Sequence, residues 1–258
     1  MTFEQQARLF REKQDKLISK YEIVFGLVFA RQLRKFSKAV SDFPTGAIYE
    51  IDIYFDEKPL AKAYEAMVRE TANKFQIKDP NILTKSITAD VWRTLVNAYL
   101  SGIGGERIRE INKFTKEYVL KRLRPILTEG VNQGLGIAQI GRSIVADIAE
   151  YSGKFAKYRS ERIARTEIVG TSNWASVTSV ESSGVKDRLL KKWLVTEDGR
   201  ERETHQEMMD HPSIPIDDFF EVRNVKGGVD KMRFPGDSSG SAGNLINCRC
   251  TVVYERIG

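Results

Sequence analysis

The chain has 258 residues, 41% of them hydrophobic and 29% charged. That balance allows one large domain or two ordinary ones and excludes global disorder. The formal charge of +6 is uneven: residues 1–150 carry 24 Lys+Arg against 19 Asp+Glu, and residues 151–258 carry 17 against 16. A mild basic excess of this kind is compatible with nucleic-acid contact without demanding it, because charge speaks to association and not to fold.

The chain opens on Met1-Thr2-Phe3-Glu4-Gln5-Gln6, which is polar and unlike a secretory signal. The most apolar window, Ile23 to Ala30, is far shorter than the roughly 20 residues that cross a bilayer. Two cysteines one residue apart do not easily bridge each other. A soluble protein of a reducing cytoplasm, without a disulfide framework or a membrane partner, is expected.

Residues 3–40 read as helical, with a first run carrying Phe3, Ala7, Phe10, Leu17 and Ile18 and a second from Tyr21 to Val40. Pro44 and Gly46 then break the pattern. Ile48 to Phe55 alternates apolar and polar residues, a strand signal that an extended connector would also satisfy. Lys58-Pro59 starts a helix through Lys74, and Thr84, Ser86 and Thr88 are cap candidates for another over 89–100, ended by Gly102, Gly104 and Gly105. Glu106 to Leu127 is the clearest amphipathic stretch. Its polar side carries Arg107, Lys113, Lys116, Lys121, Arg122 and Arg124, which read first as a solvated face with Glu–Lys pairs and otherwise as the candidate contacts for double-stranded DNA.

Gly130, Gly134 and Gly136 mark a connector, Ile137 to Glu150 a short helix, and Ser152-Gly153 another break. Lys154 to Glu181 reads as one long helix stopped by Gly184. Beyond it the character changes. Leu189–Thr196 and Cys250–Glu255 are β-like, and Ser238 to Gly243 between them reads as an exposed, mobile loop. The fold class expected is α+β: a mostly helical region over 1–134, then a small module over 135–258 whose few strands pack on the long helix.

Residues 193–250 gather both histidines and both cysteines. His205, His211, Cys248 and Cys250 are the candidate zinc ligands, since zinc takes Cys and His in fours. The spacing is poor, however, and a C-x-C in a strand points its two side chains to opposite faces, so only one cysteine would meet a metal. A structural Cys–His or buried-thiol cluster without a cofactor is therefore expected, with a zinc-binding nucleic-acid module as an alternative. A second alternative is a nuclease-like enzyme in which His205 moves protons while Arg200, Arg202 and Glu167 assist. Against it, the interleaved acids and bases of Asp198 to Glu203 pair among themselves.

An ordered set of residues carries a resemblance. Arg165-Thr166-Glu167 on a helix precedes Trp193, then Asp198, Arg200, Arg202 and His205, then Pro235-Gly236-Asp237, then Asn247-Cys248-Arg249-Cys250. Over about residues 135–256 this resembles the Mu F-like head morphogenesis proteins, the minor capsid proteins of tailed phages and prophages. The pattern departs after His205, where Met208-Met209-Asp210-His211-Pro212 stands in place of a glycine, which makes His211 less transferable than His205.

The resemblance implies a non-enzymatic structural protein of the virion or procapsid interior, made in the host cytoplasm. It would meet the portal and other head proteins and take part in DNA packaging or delivery. Some relatives append toxin or enzyme domains. This chain stops eight residues after Cys250, so no such cargo is expected. The residues of the ordered set are expected to brace the module, with Arg165 and Glu167 tying its loops to the long helix.

Overall fold

The computed structural model describes residues 2–78 and 87–257; the cap candidates Thr84 and Ser86 lie outside the described residues. The architecture is α+β. Long helices dominate the N-terminal part, and a few short antiparallel strands follow. Among the described residues no helix is long and apolar enough to cross a membrane. Contacts divide the chain into two compact units, one of residues 21–65 and 101–163, the other of 1–20, 66–100 and 164–258.

The first of these units is all helix. Helix α1 (Phe3–Asp42) contributes residues from 21 on, followed by α2 (Pro44–Tyr49), α3 (Ile51–Tyr54) and the start of α4 (Glu57–Phe75). The strand expected over Ile48–Phe55 is not formed. Pro44 sits at the start of α2, where its missing N–H costs nothing, and Ala47, Ile51 and Phe55, four residues apart, all face the core. The alternation of that stretch was a by-product of this helical spacing.

Helix α5 (Ala89–Tyr99) belongs to the other unit, and the glycines after it do not end the helical path. Residues 100–104 form a π-helical turn that leads into α6 (Gly105–Asn132). Gly130 lies inside α6 against Ile140, and only Gly134, at φ 66°, makes the turn. Helix α7 (Ile137–Glu181) then runs unbroken through Ser152-Gly153. A single helical glycine costs only about 1 kcal/mol, and the burial of Tyr151 and Phe155 on either side of Gly153 outweighs it. The core joins Leu33, Phe36, Val40, Val119, Leu123, Ile144 and Ile148 at helical spacing. Its polar seams are few: Asn112 donates to the Phe55 carbonyl at 3.0 Å, and Arg159 donates to that of Ile111 at 3.2 Å.

The second unit builds its strands after Gly184, whose φ of 71° ends α7. Strand β1 (Leu189–Leu194) lies between β2 (Ile214–Pro215) and β5 (Thr251–Arg256), antiparallel to both, with Leu190 opposite Pro215 and Trp193 opposite Val252. Between β1 and β2 lies a single helical turn, α8 (Glu203–Gln206). Strands β3 (Phe220–Arg223) and β4 (Val229–Met232) form a separate hairpin, and a second short turn, α9 (Ala242–Leu245), precedes the cysteines. The inward residues of β1 are Leu189, Lys191 and Trp193. Ser238 to Gly243 is partly exposed as expected but tied down. Ser239 N–H reaches Asp237, and both the N–H and hydroxyl of Ser241 reach Asp230 Oδ2, at 2.8 and 2.7 Å.

Candidate functional site

From Ala164 to Val180 helix α7 is buried nearly all round, although many of its residues are polar. A helix of this kind needs partners for each polar side chain, since a buried polar group left unpaired costs about 1–3 kcal/mol. Successive turns supply them. The Thr166 hydroxyl accepts the N–H of Asn247 at 3.0 Å. Gly170 meets the backbone of Gly236 so closely that a Cβ there would lie 2.7 Å from the Gly236 carbonyl oxygen.

One turn further on, Asn173 donates to the carbonyls of Pro235 (2.8 Å) and Cys250 (3.2 Å) and accepts from Val252 N–H (3.1 Å). Ser176 meets the Tyr254 hydroxyl at 3.0 Å. On another side, Ser172 accepts from Gln14 at 2.7 Å.

This ladder explains Pro235-Gly236-Asp237. Pro235 offers a carbonyl to Asn173. Gly236, at φ 80°, adopts the left-handed backbone and makes the close approach that a side chain would block. Asp237 folds the turn by accepting from Arg233 N–H (2.8 Å) and Ser239 N–H (3.0 Å).

The same ladder sets the cysteines. Asn247 is the one described non-glycine residue at positive φ, 59°. The short segment after it is not a strand; β5 begins only at Thr251. Cys248 and Cys250 therefore do not alternate to opposite faces, contrary to expectation. Both turn to His205, with Sγ–Nδ1 distances of 3.9 and 3.4 Å. His205 is presented by α8, which is held by the Thr204 hydroxyl on Asn244 Oδ1 at 2.9 Å. Arg202, just before α8, donates to the Ile246 carbonyl.

The three side chains are buried, at 2%, 1% and 3% exposure, and their ligand atoms lie within 4.8 Å of one another. Trp193, fully buried, meets the His205 ring edge-on at 5.4 Å. The Cys250 thiol is held well below the usual thiol range, first by a hydrogen bond from Cys248, then by His205, against the opposing effect of burial. Cys248 is held well above that range, as the partner that keeps its proton and by burial.

A cavity of about 280 Å³ opens over this cluster. Arg165, Arg200, Arg202 and Arg249 line it together with His205 and the cysteines; Glu167, buried on α7, does not. Arg249 and Arg200 bond Asp198, at 2.9 and 3.3 Å. His211 is outside the cluster. Its Nδ1 lies 2.8 Å from the neighbouring Pro212 carbonyl, and its ring meets Phe220. Of the four candidate ligands, three meet and His211 does not.

On α6, Arg107 pairs with Glu110, Lys113 with Glu117 and Lys116 with Asp52. Arg122 forks onto Asp147 at 2.7 and 2.8 Å and lies over the Tyr151 ring. Lys121 and Arg124 are exposed.

Sequence reasoning missed Gly170 and the bonding of Asn173, and it missed Asn244, which ties Arg223 O and Asp230 to Thr204. The available signal was a run of Thr, Ser and Asn on a helix that showed no charged face between residues 168 and 180.

These features define a small α+β module braced through one buried helix, and comparison with known proteins places it. The model of the phage Mu protein F like family matches residues 121–253, and the chain belongs to that phage head-protein family. The chain is also 32% identical over 171 residues to a protein of Enterococcus faecalis named NAD(+)--arginine ADP-ribosyltransferase EFV. That match takes in 65% of this chain but only 31% of the relative. No solved structure matches.

Proposed function

We propose that this chain is a minor head protein of a tailed phage or prophage. It would act in head morphogenesis at the portal vertex, inside the procapsid and virion, and in packaging or delivery of DNA. The family match over residues 121–253 carries this reading. The way the motif residues are engaged supports a structural role: Thr166, Pro235, Gly236, Asp237 and Asn247 bind backbone or shape turns. His205 turns its Nδ1 to two sulfurs, so that nitrogen is engaged by the thiols and not offered as a general base.

The transferase activity named for the Enterococcus relative forms no part of the proposal, because the shared segment is 31% of that protein. DNA contact would run through exposed basic residues of α6 such as Lys121 and Arg124. Co-expression with the portal protein of the same phage, followed by purification of the portal ring, tests the main reading. The chain should be retained on the ring and be found by mass spectrometry in procapsids. Its absence from ring, procapsid and virion alike would end the proposal.

A further inference from the structure

We propose that His205, Cys248 and Cys250 form a zinc site of three protein ligands, with the fourth position opening into the arginine-lined cavity. Tetrahedral zinc with Zn–S of about 2.3 Å and Zn–N of about 2.0 Å requires roughly 3.5 Å between nitrogen and sulfur and roughly 3.8 Å between sulfurs. The Nδ1–Sγ distances of 3.4 and 3.9 Å straddle the first value, and all three atoms lie within 4.8 Å of one another. Both nitrogen–sulfur distances are therefore within about 0.4 Å of those in one face of a zinc tetrahedron.

Two buried thiols are turned to the same imidazole Nδ1, and a relay from Cys248 through Cys250 gives that nitrogen only one direct hydrogen bond. A metal ion satisfies all three atoms at once. The donor set of two thiolates and an imidazole selects a soft or borderline cation over magnesium or calcium. Two thiolates also neutralise a divalent ion, so the occupied site carries no net charge into a buried place.

The segments that carry the ligands are held from outside the cluster, while His205 Nε2 is buried without a hydrogen-bond partner among the described residues. Thr204 and Asn244 fix the helical turn of His205, and Trp193 packs edge-on against its ring. Cys248 N–H donates to Leu245 O at 3.3 Å, and Asn173 holds the Cys250 carbonyl. Among the described residues no fourth His, Cys, Asp or Glu joins the group. The cavity reaches all three ligands, and its arginines favour water-derived hydroxide or a small anion at the fourth position. Zinc binding would join the cysteine segment, which follows α9, to the α8 turn more than 40 residues earlier.

Protein purified without chelators should contain stoichiometric zinc by elemental analysis. After removal of the metal, cobalt(II) should give a thiolate-to-cobalt charge-transfer band and the intense visible bands of a tetrahedral centre. His211→Ala should keep the metal, and Cys250→Ser should lose the charge-transfer intensity that its thiolate supplies. If Cys250→Ser does not fold, the cobalt spectrum of the wild-type chain decides alone. Wild-type protein that holds no zinc, gives no cobalt spectrum on reconstitution and melts at the same temperature with and without zinc would overturn the proposal. Stoichiometric iron or copper in place of zinc would overturn the choice of metal.

Discussion

The helical unit of residues 21–65 and 101–163 and the module after residue 184 solve the same problem by different chemistry. In the helical unit, apolar side chains at helical spacing interdigitate, and polar seams such as Asn112 are exceptions. The module has apolar clusters too, around Val180 and Val252 and around Trp193 and Phe220. Its short strands and loops are in addition gathered by side chains that bond their backbone groups, chiefly Asn173, Thr166, Asp237 and Asn244. Apolar packing tolerates exchange of shape at constant volume, whereas a hydrogen-bonded brace does not tolerate loss of an atom.

Substitutions can break or sharpen that contrast. The largest effect is expected from Asn173→Leu, which leaves two carbonyls and one N–H buried without a partner, at roughly 5 kcal/mol in total. Chemical denaturation followed by Trp fluorescence would measure it, and a loss under about 1 kcal/mol would refute the brace. The matching change in the helical unit, Ile144→Leu, keeps volume and should cost less than about 1.5 kcal/mol by the same assay.

Gly170→Ala and Gly153→Ala test two glycines of one helix. The first drives a Cβ against the Gly236 carbonyl and should destabilise by about 1–3 kcal/mol. The second meets open space and should stabilise by up to about 1 kcal/mol. Equal shifts in melting temperature for the two would remove the distinction.

Lys191 offers a smaller effect with a defined sign. It is buried at 0% exposure on the inward face of β1 and donates to the Arg233 carbonyl at 2.9 Å. Burial lowers its pKa to about 8, against 10.5 for the free side chain, despite the opposing pull of Asp218, Asp237 and Asp217. Between those values the unfolded chain holds a proton that the folded chain has lost, so stability rises with pH by up to about 1.4 kcal/mol per unit. Below pH 8 both forms are protonated and this slope vanishes. The difference in pH dependence between wild type and Lys191→Met isolates it from the tyrosines and thiols. Parallel profiles for the two proteins would contradict the assignment.

What was legible in the sequence follows the same division. Amphipathic α6, the strands at β1 and β5 and the stop at Gly184 all rest on periodicity or punctuation, and they are present in the structure. Continuity was harder to read. Gly102 to Gly105 and Ser152-Gly153 looked like breaks, yet a π-helical turn carries the chain past the first and α7 runs through the second. Glycine lowers helix stability without forbidding a helix, and long-range burial decided.

Ile48–Phe55 misled because a spacing of four also satisfies an alternating pattern. The meeting of both cysteines at His205 was hidden. It depends on the left-handed backbone of Asn247, and alternation applies only once a strand has begun. The order of the motif residues was visible, but their bonding was not, since each pairs with a residue tens of positions away.

The ladder on α7 also has a consequence in time. Thr166, Gly170, Asn173 and Ser176 touch, turn after turn, segments that all lie later in the chain, from Pro235 to Tyr254. Synthesis proceeds from the N-terminus, so the helix leaves the ribosome before any loop it will hold. The loops can then form against it, and the last residues of the ladder to emerge are Val252 and Tyr254 of β5.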